Sequence, residues 1–103
     1  MRNPGTLMSD IITDAVETMN RKIAGRSFDY KVRFELPGEG VFVVDESGAR
    51  IADEPGDVTL KAKPKVFAAI ADGSQNPAAA VMLGKLKISG DMSLALKVGA
   101  LFG

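Results

Sequence analysis

From Leu7 to Ile23 the apolar residues Leu7, Met8, Ile11, Ile12, Ala15, Val16, Met19 and Ile23 return every three or four positions, with Asp10, Asp14, Glu17 and Asn20 between them. That spacing draws one apolar stripe along a helix. Asn3-Pro4 suits its start, Arg21 and Lys22 fall beside the negative end of the helix dipole, and Gly25 can take a left-handed exit. The period then drops to two. Phe28, Tyr30, Val32, Phe34 and Leu36 alternate with Asp29, Lys31, Arg33 and Glu35, which predicts a strand with one dry and one wet face.

Pro37-Gly38-Glu39-Gly40 and Asp45-Glu46-Ser47-Gly48 are turn sequences around the apolar run Val41 to Val44. A short strand around Ala49 to Ala52 completes an antiparallel meander, and Asp57 to Ala62 alternates again as a fourth strand. Pro64 is placed as a first helical residue, Val66, Phe67 and Ile70 share a face, and Gly73 ends that helix. Asn76 caps a second short helix that Pro77 starts and Gly84 closes. Lys85 to Ser89 alternates as a fifth strand, Gly90 turns, and Asp91 can cap a final helix running toward Phe102. In that last segment only Asp91, Ser93 and Lys97 are strongly polar, so the helix is expected to be covered on nearly every side, by sheet, by other helices, by a partner or by a ligand.

Composition narrows the chemistry. The 103 residues fit one domain, 1–103, which can fold on its own core. Basic and acidic residues number 13 each and alternate along the chain, so no nucleic acid partner is expected. Cys and His are both absent, which excludes disulfides, Cys/His zinc sites, thiol nucleophiles and every Ser-His or Cys-His arrangement. The carboxylates Glu39, Asp45, Glu46, Asp53 and Glu54 sit in turns, where backbone capping and solubility explain them, and Asp45, Glu46 and Asp57 miss calcium-loop spacing. Gly84-Lys85 fails the phosphate-loop pattern, because Ala79 and Leu86 stand where glycine and Ser/Thr are needed. No enzyme activity, metal or cofactor is expected. The first 20 residues carry too many polar side chains for a signal core or a membrane span, and the cytoplasm is the expected compartment.

From Asp57 on, several pieces fall in register with one family. A strand leads into a short helix ending at Asp72-Gly73, then come Asn76-Pro77, Gly84-Lys85-Leu86-Lys87-Ile88-Ser89-Gly90-Asp91 and the Met92-Ser93-Leu94-Ala95-Leu96-Lys97 helix. This stretch resembles the sterol carrier protein type 2 family, the nonspecific lipid-transfer proteins. Over Met1 to Pro55 the likeness is one of element order and length. The resemblance implies an α+β fold: a five-stranded, mainly antiparallel sheet covered by helices, with an apolar tunnel for fatty acids, fatty acyl-CoAs, sterols or isoprenoid-like lipids and no catalysis of its own. Unlike the animal members, this sequence stops at Phe102-Gly103 without a Ser-Lys-Leu type address or the tail after the last helix, so peroxisomal residence and sterol specificity are not expected.

The residues expected to meet a lipid are Val66, Phe67, Ile70, Val81, Met82, Leu83, Leu86, Ile88, Met92, Leu94, Leu96, Leu101 and Phe102. Each taken singly fits an ordinary core; together, and with the resemblance, they mark a cavity wall. Met82 and Met92 suit ligands of varied shape, being unbranched and polarizable. The ligand is expected to enter where the final helix meets the sheet edge, with Gly84 and Gly90 letting that helix move. Two other readings stand beside this one. Met92, Leu94, Leu96, Val98, Leu101 and Phe102 could form a homodimer seam, as in an accessory module presenting a lipid intermediate to a partner enzyme. Lys85 and Lys87 face away from Leu86 and Ile88, either as a solvated sheet face or as a transient contact with a membrane surface.

Overall fold

Ile12, Ala15, Met19 and Ile23 are all buried along one side of the first helix, α1 (Leu7–Ile23), because their spacing keeps them within one stripe. The computed structural model describes residues 7–27 and 29–102, with side chains in α1 from Ile11 onward. The expectations placed on Asn3, Pro4 and Phe28, and on the side chains of Leu7 and Met8, lie outside the described residues. After α1 come β1 (Val32–Leu36), β2 (Gly40–Asp45), β3 (Gly48–Ile51) and β4 (Val58–Ala62), then α2 (Pro64–Asp72), α3 (Pro77–Met82), β5 (Leu86–Gly90) and α4 (Met92–Gly99).

The strands form one open sheet in the order β3-β2-β1-β4-β5. The meander is antiparallel, with Phe34 opposite Phe42 and Val44 opposite Ala49. β4 then returns to the far side of β1 and pairs with it in parallel, Val32 beside Val58 and Phe34 beside Leu60. β5 closes the order antiparallel to β4. The sheet is therefore mixed, with one parallel pair inside it.

The first strand is shorter than the alternation suggests, starting at Val32 instead of Phe28. Its partner β4 begins at Val58, and just before it Asp57 locks the junction. The Asp57 N–H donates to the Lys31 carbonyl at 2.8 Å, and the Asp57 carboxylate accepts from the Lys31 N–H at 2.8 Å. Side-chain alternation continues one step before the ladder does.

Period two sorts the side chains onto two faces. Val32, Phe34, Leu36, Phe42, Val44, Val58 and Leu60 turn inward and pack with the buried faces of α1, α2 and α4. On the opposite face Val43 is also fully buried, at 0% exposure, outside the core cluster under the helices. It lies between Arg33 on β1 and Arg50 on β3, whose apolar stems cover it while their charged ends reach carboxylates. Arg33 bonds Glu35 at 2.8 Å and Asp53 at 2.6 Å; Arg50 bonds Asp45 at 2.9 Å and Glu54 at 3.0 Å.

Two features hold the helices in place. Asn20 on α1 grips edge strand β3, its amide donating to the Ala49 carbonyl at 3.1 Å and accepting the Ala49 N–H at 2.9 Å. At the other edge Gly90 ends β5 opposite Val58 with φ +99°, so close to β4 that a Cβ would lie 2.7 Å from the Asp57 carbonyl oxygen. The expected free turn at Gly90 is thus part of the ladder, and α4 starts from a fixed point. Among the described residues no helix is long and apolar enough to cross a membrane.

Candidate functional site

α1 fills its half of the inner face with Ile12, Ala15 and Met19, but α2, α3 and α4 leave space above β1, β4 and β5. The result is a cavity of about 430 Å³. Its floor is built by the inward positions of two neighbouring parallel strands, Phe34 and Leu36 on β1 and Leu60 and Ala62 on β4, with Leu86 and Ile88 of β5 at the sheet edge. Phe67 and Ile70 of α2 form one wall. Pro77, Ala78 and Val81 of α3 form another, and Met92, Ala95, Leu96, Val98 and Gly99 of α4 the third, with Phe102 beyond it.

α4 is positioned by its cap. The Asp91 carboxylate accepts the Ser93 hydroxyl at 2.6 Å and the Ser93 and Leu94 N–H groups at 2.9 and 3.4 Å. The bonds from Ser93 hold that carboxyl below the usual carboxylate range. The helix ends at Gly99, and turns carry the chain on to Phe102, earlier than the sequence pattern suggests. Phe102 meets the Phe67 ring edge-on at 6.3 Å, and the Lys22 ammonium lies 5.6 Å from its ring centre, so α1 helps to hold the C-terminal turn.

The protein itself covers only part of the final helix. Ala95 and Val98 are buried and Leu94 is half-buried, but Leu96 is 76% and Met92 53% exposed. The helix crosses the edge of the sheet, so only one side finds β4 and β5 to pack on. Leu96 and Met92, four residues apart, form a rim where the cavity meets solvent.

Eight of the residues singled out from the sequence line this cavity: Phe67, Ile70, Val81, Leu86, Ile88, Met92, Leu96 and Phe102. Five do not. Leu94 and Leu101 pack half-buried against the core, Val66 is half-buried on α2, and Met82 and Leu83 stand in solvent at the end of α3. The residues missed are mostly the floor, Phe34, Leu36, Leu60 and Ala62, together with Ala95 and Val98 on α4. The alternation of the strands already marked the floor positions as inward. What was not visible is that β4 returns beside β1, which puts both sets under the same helices.

Asn76 is the one polar side chain among the described lining residues, and its Oδ1 is committed to the Ala79 N–H at 3.0 Å as cap of α3. Among the described residues no acid or base lines the cavity. Among the described residues no group of three His, Cys, Asp or Glu side chains is gathered to hold a metal ion. Chemically, this space can remove hydrocarbon from water.

Comparison with known proteins agrees with the architecture. The family model described as the SCP-2 sterol transfer family matches residues 11–103. Sterol carrier protein 2 of Homo sapiens is 36% identical over 89 residues, covering 80% of this chain and 16% of the human protein. The chain thus spans about a sixth of the length of the curated relatives it matches, 16 to 17% for the human and Bos taurus proteins. Among solved structures, sterol carrier protein 2 like 2 from Aedes aegypti superposes with a TM-score of 0.76 at 18% identity, covering 90% of this chain and 97% of that one. Aedes aegypti sterol carrier protein 2, solved in complex with the C16 fatty acid palmitate, gives 0.73 at 17% identity, covering 93% and 94%. The fold is that of these carriers, and with the family model running from Ile11 to the last residue, this chain belongs to the SCP-2 sterol transfer family.

Proposed function

We propose that residues 1–103 act as one lipid-binding domain, a non-catalytic carrier that takes the hydrocarbon chain of a fatty acid or similar lipid into the cavity between β1, β4, β5 and the second-half helices. The observation that carries this reading is the lining: about 430 Å³ walled by apolar side chains with no acid or base among them. The volume falls inside the ~300–1,000 Å³ range of small-molecule pockets. Each methylene moved from water into it contributes about 0.8 kcal/mol, so an acyl chain can be held without a specific head-group contact. The palmitate bound to the Aedes aegypti relative supports the same ligand class.

The exposed pair Met92 and Leu96 marks the way in, beside edge strand β5. A carboxyl head group would stay at this rim, in water. Working as a carrier follows from this reading, because the cargo leaves by the way it came. The test is a palmitate titration of wild type and Leu96→Glu, with circular dichroism to follow the fold. An exposed Leu96 tolerates Glu structurally, but the new carboxylate stands where the acyl chain must pass, and affinity is expected to fall at least about tenfold. Equal affinity in a folded variant would overturn the assignment of the cavity.

A further inference from the structure

The antiparallel register of β4 and β5 puts Lys61 directly opposite Lys87 on the outer face of the sheet. Like charges so placed destabilise a sheet. The ladder's last pair is Ala62 with Leu86, so Lys63 and Lys85 follow at the same end. Lys63 is also the N-cap of α2, without a side-chain cap bond, and Lys65 lies in that helix's first turn, which contains no acid. The start of a helix favours negative charge, so both are placed against their local preference. Among the described residues no ion pair reaches any of these five lysines.

The neutral total of the chain conceals this corner, where the expected alternation of opposite charges does not hold. From Val58 to Gly90 there are five lysines and one acid, Asp72, a net of +4, while the acids crowd the residues before Val58. Beside the lysines stands an apolar tip. Met82 is 88% and Leu83 67% exposed, and the chain there is fixed: Leu83 N–H bonds the Ala79 carbonyl at 2.9 Å and Lys85 N–H the Ala80 carbonyl at 2.8 Å. Val81, the residue before Met82, lines the cavity.

We propose that this corner docks the protein on an anionic lipid bilayer, Met82 and Leu83 entering the head-group boundary and Lys61, Lys63, Lys65, Lys85 and Lys87 facing acidic head groups. Exposed apolar side chains followed by lysines are what such a surface binds. A nucleic acid would use the lysines but leave Met82 and Leu83 in water. A second copy meeting this face through a two-fold axis would set five lysines against five. On a bilayer Val81, which lines the cavity, comes next to the membrane.

The experiment is pelleting of the ligand-free chain with sucrose-loaded vesicles, of phosphatidylcholine alone or with about a third phosphatidylserine. Binding is expected only to the second kind, and is expected to vanish near ~1 M salt, where charges are screened beyond ~3 Å. Lys61→Gln with Lys87→Gln should lower partitioning about 25-fold, at roughly fivefold per lysine. Met82→Ser with Leu83→Ser should lower it too. All four positions are exposed, and the palmitate affinity of both variants in solution should match wild type, which separates docking from occupancy of the cavity. Equal pelleting with both vesicle types, or none with either, would overturn the proposal. So would variants that pellet like wild type, a dimer dissolved by Met82→Ser, or duplex RNA binding that ignores Met82 and Leu83.

Discussion

The Phe67 ring stands edge-on to Phe34, their centroids 5.7 Å apart and their planes at 79°, and both rings border the cavity. Phe34 in turn lies flat on its cross-strand partner Phe42 at 4.7 Å, and Phe67 meets Phe42 edge-on at 5.7 Å. The rigid part of the cavity is therefore an aromatic triad that joins α2 to β1 and β2. Edge-to-face pairs add about 0.5–1.5 kcal/mol beyond their buried area. Phe67→Ala removes three such contacts, with Phe34, Phe42 and Phe102, and should destabilise the fold by about 3 kcal/mol, the low end for a buried Phe because one side already faces free space. Urea unfolding followed by circular dichroism reads this directly. A loss below ~1 kcal/mol would mean that the triad is not a structural floor.

Filling the cavity should separate binding from stability. Ala95 is buried on α4 and faces the free volume. Ala95→Leu adds three heavy atoms where nothing has to be displaced, so it should avoid the usual overpacking cost of ~1–3 kcal/mol. The urea midpoint is expected to hold or rise, while palmitate affinity falls about tenfold. Destabilisation comparable to overpacking would show that the space closes in solution.

Much of this was legible in the sequence, for local reasons. Turn residues and changes of period identified all nine elements, because Gly73, Asn76-Pro77 and Asp91 act within a few residues of themselves. Phe67, Ile70 and Leu86 were legible as cavity lining because they lie in the stretch that resembles the family. Leu60 and Phe34 were not, because their adjacency depends on β4 crossing back to β1, a long-range pairing that no local pattern encodes. Met82 and Leu83 looked like lining because an apolar run does not say where a six-residue helix stops, and here it ends at Met82 with both side chains in solvent.

The outer face should make stability depend on acid pH. The Lys31 ammonium, 2.7 Å from Glu54, holds that carboxyl below its ordinary range, and Arg50 adds to the effect. Burial pushes the Asp45 carboxyl up, but the Arg50 hydrogen bond, the Ser47 N–H and the charges of Arg50 and Lys31 outweigh it and hold it down. A carboxyl whose folded pKa is lowered contributes stability above its unfolded value, near ~3.9 for Asp and ~4.3 for Glu, and loses it as pH falls through the folded value. The urea midpoint should therefore be flat from about pH 7 to 5 and fall below about pH 4. Glu54→Gln should lessen that fall without removing it, since Asp45, Asp72 and Asp91 are shifted in the same direction. A midpoint that rises on acidification would contradict the network.

Gly73 and Gly90 offer a controlled comparison, because both have positive φ, +87° and +99°, and only one is crowded. At Gly73 a Cβ would meet nothing within 4 Å, so Gly73→Ala carries backbone strain alone, about 1–2 kcal/mol. At Gly90 the same Cβ would lie 2.7 Å from the Asp57 carbonyl oxygen and 3.1 Å from the Val58 Cα. Neither atom can yield, since Asp57 anchors β1 and Val58 sits in the ladder on both sides. Gly90→Ala should then cost clearly more than Gly73→Ala, and the excess is the price of parting β5 from β4. Because β5 and α4 form the rim, Gly90→Ala should also weaken palmitate binding at a temperature where the fold persists, whereas Gly73→Ala should not. Equal losses of stability in the two variants, read from urea midpoints, would show that the Gly90 contact relaxes and that the rim is not anchored there.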